Sequence, residues 1–122
     1  MVDFYCGILG LRVLGSFKNH SGYDGVFIGQ EHQNWHLEFT VSHDKPTHTF
    51  DEDDALVLYP STMEEYYEMA SRISKNSKTI RTKNPYWLNN GVAVKDPDGF
   101  IVIVRNQKAK GIVPKGQLYQ GS

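Results

Sequence analysis

The sequence predicts an α+β fold made of two related β-α-β-β-β modules. Three observations carry that reading. Residues 91–104 have a hairpin pattern: Gly-Val-Ala-Val-Lys, then Asp96-Pro97-Asp98-Gly99, then Phe-Ile-Val-Ile-Val. Residues 61–64, Ser-Thr-Met-Glu, have the pattern of a capping box that opens a helix. The expected elements also repeat in order. The first half reads helix–strand–strand–strand, and the second reads strand–helix–strand–strand–strand. On this reading the first module lacks its opening strand.

Each element has a local reason. In residues 2–9, Phe4 and Ile8, followed by Leu11, lie at helical spacing, and Gly10 can end the helix. Residues 12–17 and 23–28 read as strands separated by the polar turn 19–22. Residues 35–41 alternate cleanly: Trp35, Leu37, Phe39 and Val41 on one face, His36, Glu38 and Thr40 on the other. That alternation puts Trp35 in the core. Residues 42–54 form the one long linker, which ends in the acidic run Asp51-Glu52-Asp53-Asp54. Such a run reads as a solvated loop. His43 and His48 in the same linker lack the spacing of a metal site. Residues 55–59 read as a strand stopped by Pro60. The helix that follows runs to about Lys75, with Met63, Tyr66, Tyr67, Ala70 and Ile73 as its apolar stripe. Residues 79–82 read as a strand.

The hairpin then closes the domain. Pro97 presets φ for the second turn position, and Asp96 and Gly99 suit the first and last. The run 100–104 has no polar residue on either face, the pattern of a strand buried on both sides. Two modules, about 1–43 and 54–106, make a single domain. Residues 107–122 read as a loose tail.

Composition narrows the function classes. The chain has 122 residues, enough for one domain with a core. Its net charge of −1 gives no electrostatic footprint for nucleic acid or an anionic membrane. No apolar run reaches the roughly 20 residues a membrane span needs. A single cysteine, Cys6, excludes an internal disulfide framework and fits a reducing cytoplasm. Its apolar, helical setting makes it a small buried hydrophobe rather than a nucleophile.

Several motifs then point to a family. Phe4-Tyr5 with Leu9-Gly10-Leu11, the segment His36-Leu-Glu-Phe-Thr40, and Asp96-Pro-Asp-Gly-Phe100 stand in order along the chain. They resemble the vicinal oxygen chelate superfamily, which includes glyoxalase I, bleomycin-resistance proteins and extradiol dioxygenases. Asn84-Pro-Tyr-Trp87 followed by Gly91 resembles a bacterial branch of its glyoxalase-like members. The resemblance spans residues 3–106. It implies paired β-α-β-β-β modules whose curved mixed sheet forms a cup, and it implies a homodimer.

In metal-dependent members the cup holds a divalent ion on ligands from both modules. Carried over by motif, the acidic ligand of the first module's last strand falls on Glu38. The second module's first-strand ligand falls near Asp54. The carboxylate of the final strand falls on Ile103, which has no donor atom. The remaining first-strand ligand has no counterpart, because the sequence opens inside the first helix. A divalent metal, if held, would rest on Glu38, His36 and Asp54, with one of the family's ligand positions apolar and one missing from the three or four a catalytic centre uses. The leading expectation is therefore a cytoplasmic protein that binds a small organic molecule in a cup without a metal or other cofactor. The candidate pocket residues are His36, Glu38, Tyr59, Tyr86, Trp87, Ile103 and Arg105, an aromatic set with a few polar groups. The alternatives are a metal-dependent lyase, isomerase or dioxygenase that uses Glu38, and a shortened interaction module without chemistry.

Overall fold

The structure is a computed structural model that describes residues 1–47 and 49–106. His48 and the expected tail 107–122 lie outside the described residues. Ten elements follow in order: an N-terminal helical turn (Asp3–Ile8), β1 (Arg12–His20), β2 (Tyr23–Gly29), β3 (His36–Val41), β4 (Ala55–Leu58), α1 (Met63–Asn76), β5 (Thr79–Ile80), α2 (Tyr86–Asn90), β6 (Gly91–Lys95) and β7 (Ile101–Arg105).

They build two sheets. The first runs β1-β2-β3, all antiparallel. The second runs β4-β7-β6-β5, with β4 parallel to β7 and the other pairs antiparallel. β7 therefore has a neighbour on each edge. Among the described residues, β3 has none on its outer edge.

The N-terminal turn is wound wider than an α-helix. Leu9 N–H donates to Phe4 O at 3.0 Å, a π-type spacing. Gly10 ends it in the left-handed region, at φ 83°. Its last carbonyls are met from across the molecule: Arg72 on α1 donates through Nε to Ile8 O at 2.8 Å. A cation at a helix C-terminus also complements the helix dipole.

α1 starts one residue later than the sequence suggests. Thr62, not Ser61, is the cap: its hydroxyl accepts from Glu65 N–H at 3.1 Å, and Glu65 accepts in return from Ser61 N–H at 2.9 Å. The apolar stripe also shifts. Tyr67 is 59% exposed, and Met69 packs against the core instead. Adjacent residues are about 100° apart on a helix, so Tyr66 and Tyr67 cannot share one narrow stripe.

One core joins both halves. Phe4, Tyr5, Leu9 and Leu11 of the N-terminal segment pack with Ile28 of the first sheet, Ile73 of α1, and Val94, Val102 and Val104 of the second sheet. Leu37 and Phe39 border it. Trp35 does not: it precedes β3 and is 39% exposed, so the expected core position is corrected. The pleat that buries Leu37 and Phe39 does not extend back through the loop.

The hairpin turn anchors this core. Gly99 N–H donates to Asp96 O at 2.9 Å, and Gly99 sits at φ 91°. The Asp96 carboxylate is buried. It accepts from Asp98 N–H and Phe100 N–H, each at 2.9 Å, and from the Tyr5 hydroxyl at 2.8 Å. These donors offset the cost of taking a carboxylate out of water. Burial, then the hydrogen bond to Asp96 and its charge, holds the Tyr5 hydroxyl protonated well above the ordinary phenol range.

Candidate ligand-binding site

β7 carries aliphatic side chains on both faces, each packed against a different cluster. Val102 and Val104 point into the shared core. Ile101 and Ile103 point the other way, yet they too are buried, with Ala93 beside them and Val57, Ile80 and Trp87 packed around. Each fully buried side chain of this kind contributes about 1.5–3 kcal/mol. The cover over this second face comes from loops and from α2.

Local bonds set Trp87 in place. The Thr82 hydroxyl donates to Asn84 O at 2.7 Å, and the Asn84 side-chain oxygen accepts from Tyr86 N–H at 3.0 Å. Pro85 precedes the first residue of α2, with a φ of −66° that already suits a helix. The indole then lies close against β6. A Cβ added at Gly91 would come within 3.3 Å of Trp87 Cε3 and 2.7 Å of Val104 O, so only glycine admits this approach. Tyr86 stands edge-on to Trp87, with ring centroids 4.8 Å apart.

Between these parts lies a cavity of about 470 Å³. Its apolar walls are Ala55, Val57, Ile101, Ile103 and Trp87, and Glu52, Asp53, Thr82, Lys83 and Asn84 supply its polar rim. That size and that mixture suit a small organic molecule. Lys83 Nζ lies 3.8 Å from Asp53 Oδ2 at the rim. Both side chains are more than half exposed, so this pair adds little stability.

The seven pocket residues named from sequence fall into three groups. Ile103 and Trp87 line the cavity, with Tyr86 packed on Trp87. Arg105 continues their face of β7, and its guanidinium sits 5.4 Å from the centroid of the Tyr59 ring, a cation–π contact. His36 and Glu38 lie on the first sheet. Glu38 is exposed and pairs across the strands with Phe27, and the His36 ring stands edge-on to Phe27 at 4.9 Å.

The strand registers make Glu38 and Ile103 equivalent. In the first sheet Ile28 pairs with Leu37 and Phe27 with Glu38. In the second, Val94 pairs with Val102 and Ala93 with Ile103. Ile28, Leu37, Val94 and Val102 all face the shared core. Glu38 and Ile103 are each one step further along, on the face turned away from it. β4 brings a third position into the comparison: Val57 pairs with Ile103.

These positions test whether the residues fit the divalent ion of the metal-dependent relatives. Glu38 has a donor, whereas Ile103 and its neighbour Val57 have none. Asp54 precedes β4, and its carboxylate accepts from Asp51 N–H at 3.0 Å within a loop turn. Among the described residues, no three His, Cys, Asp or Glu side chains lie close enough to share a metal ion. The donor set of the described residues does not fit a three- or four-ligand centre.

Sequence reasoning missed Val57, Lys83 and Asp53. Val57 is brought to Ile103 by a parallel pairing across many intervening residues, which no local pattern announces. Lys83 and Asp53 sit in two loops that meet only in the folded chain.

Comparison with known proteins places this arrangement. Residues 1–40 match the model of the YycE-like N-terminal domain, and residues 53–106 match that of the YycE-like C-terminal domain. The chain is 36% identical over 110 residues to the uncharacterized protein YycE of Bacillus subtilis strain 168, covering 88% of this chain and 79% of that protein. It belongs to the YycE-like family. A crystal structure of a Bacillus subtilis YycE protein, described as of unknown function and as a candidate glyoxalase/fosfomycin resistance protein, superposes with a TM-score of 0.78 at 36% identity, covering 95% of this chain and 83% of that one. The trypanothione-dependent glyoxalase I of Leishmania major shares the fold, with a TM-score of 0.62 at 22% identity over 88% of this chain and 76% of that one. The YycE-like chain therefore has the glyoxalase/bleomycin-resistance fold of the vicinal oxygen chelate superfamily, as the motifs imply. Among the described residues, no helix is long and apolar enough to cross a membrane.

Proposed function

We propose that this YycE-like protein binds a small organic molecule over the outer face of β7 and needs no metal to do so. The observation that carries this reading is the cavity of about 470 Å³ built on Ile103, the position equivalent to Glu38. Where the first sheet offers a carboxylate, the second offers an apolar floor and an indole wall. Such a surface recognises shape and apolar area rather than holding a Lewis acid. Tyr86 backs the indole wall, and Arg105 with Tyr59 lies further along the same face of β7.

We also propose that the protein is a cytoplasmic homodimer. Each sheet gives one face to the shared core and turns the other away, so His36 and Glu38 do not meet Ile103 within one chain. Pairing two copies is the economical way to cover the outer face of the first sheet, which shows His36 and Glu38 to solvent. Light scattering that shows a monomer at micromolar concentration counts against this part.

A thermal-shift screen of aromatic and aliphatic compounds, run with and without a strong chelator, tests the binding reading. A stabiliser that is indifferent to the chelator and lost in Trp87→Ala supports it. Tight stoichiometric binding of a divalent metal, abolished by Glu38→Ala, overturns it in favour of a metal-dependent enzyme centred on Glu38.

A further inference from the structure

A second, smaller cavity of about 270 Å³ adjoins the first. The two share Ile101, Thr82, Lys83 and Glu52 in their linings. Their chemistry differs sharply. The larger is mostly apolar toward Ile103 and Trp87. The smaller is lined by three cations, Arg81, Lys83 and Lys95, against one carboxylate, Glu52. Lys95 comes from the end of β6, whereas Arg81 and Lys83 come from the segment between β5 and α2. Two separate stretches of chain thus bring positive charge to one place beside an apolar floor.

The ion pair at the rim fits the same picture. Asp53 contacts Lys83 only at 3.8 Å, with both groups well exposed. An exposed pair of that length is readily exchanged for a better-placed anion. A ligand carboxylate or phosphate that reached Lys83 would take the place Asp53 now holds. It would also meet Arg81, whose planar fork suits such groups.

We infer that the two cavities together take one amphiphilic organic anion, its apolar body over Ile101, Ile103 and Trp87 and its carboxylate or phosphate head among Arg81, Lys83 and Lys95. This rests on the binding reading above and adds the charge class of the ligand. Carboxylate and phosphate share the recognition chemistry, a compact anionic head with several acceptor oxygens. Free inorganic phosphate lacks the body and binds weakly.

Calorimetric titration with 2-naphthoate, 2-naphthylmethanol and 2-naphthylmethylamine tests the inference on the full chain. The naphthoate is expected to bind about tenfold tighter than the alcohol, with the amine weakest. Raising the salt concentration weakens the naphthoate alone. The double variant Arg81→Gln/Lys95→Gln brings the naphthoate down to the level of the alcohol and leaves the alcohol unchanged. Asp53→Asn strengthens naphthoate binding, because the competing carboxylate is gone. All these positions are exposed, so the variants keep the fold. The amine binding tightest, the three binding equally, or Asp53→Asn weakening the naphthoate overturns the anion inference and leaves the cavity reading standing. None of the three binding overturns the cavity reading and this inference with it.

Discussion

β3 and β7 occupy equivalent places in the two sheets, and they have been put to different uses. Each gives alternate residues to the same core: Leu37 and Phe39 from β3, Val102 and Val104 from β7. On the other face β3 shows His36 and Glu38 to solvent, whereas β7 keeps Ile101 and Ile103 buried. Among the described residues, β7 also has a strand on each edge and β3 on one. The lesson is that strand register, rather than composition, shows which side chains are comparable. Once Glu38 and Ile103 are seen to be equivalent, the apolar second site is a feature of this chain and not an accident of a bland strand.

The sharpest way to break this comparison is to exchange the two side chains. Ile103→Glu places a carboxylate at a position only 3% exposed. It is expected to cost about 3–5 kcal/mol in urea denaturation. Glu38→Ile, at an exposed site, should change stability by less than about 0.5 kcal/mol. Equal losses from the two would show that the faces are not differently buried.

The glycines beside these strands give a smaller contrast. Gly25 pairs with Thr40 and Gly91 with Arg105, again matching positions. A Cβ at Gly91 meets the backbone oxygen of Val104, which cannot move aside. A Cβ at Gly25 meets first the ring of Phe17, a side chain that can turn aside. Gly91→Ala is therefore expected to cost about 2–3 kcal/mol and Gly25→Ala about 1 kcal/mol. Melting temperatures of the two single variants measure the difference, and the reverse order would mean that β6 is the more yielding strand.

The link between the halves has a smaller effect at neutral pH than Ile103→Glu or Gly91→Ala, and a characteristic pH profile. Tyr5→Phe removes one of three donors to Asp96 and should cost about 1–2 kcal/mol. In the native protein the Tyr5 hydroxyl is held protonated above its ordinary range, so its contribution is complete below about pH 10. As pH rises past that value, the unfolded chain loses the proton and the native chain does not, and stability falls. Stability curves from pH 7 to pH 11 should therefore descend less steeply for Tyr5→Phe than for the native protein. Parallel curves would remove Tyr5 as the cause.

Local chemistry made much of the fold legible. The hairpin was readable because turn residues and β-branched runs act over a few positions. The alternation of β3 was readable because a strand has a period of two, and it failed at the two ends: at Trp35, where the strand had not yet begun, and at Val41, which is exposed. The helix cap slipped by one residue because Ser61 and Thr62 are both good caps, each with a glutamate three positions on. Long-range pairing was not legible. Nothing near Val57 says that it will lie beside Ile103, and nothing near Asp53 says that it will meet Lys83. For the same reason the seven candidate site residues were grouped by chemistry, whereas the backbone distributes them over two sheets.

The parallel pairing of β4 with β7 also bears on how the chain reaches this state. β4 is made early, but the strand that covers its edge is nearly the last described segment to be made. Until then Ala55-Leu-Val-Leu58 is a short apolar β-segment with unpaired backbone groups, the kind that recruits other chains. Four acidic residues stand directly before it and Pro60 soon after. Charge and proline at the borders of such a segment act as gatekeepers against aggregation. The acidic loop at the mouth of the cavity thus also carries the kind of charge that guards such a segment.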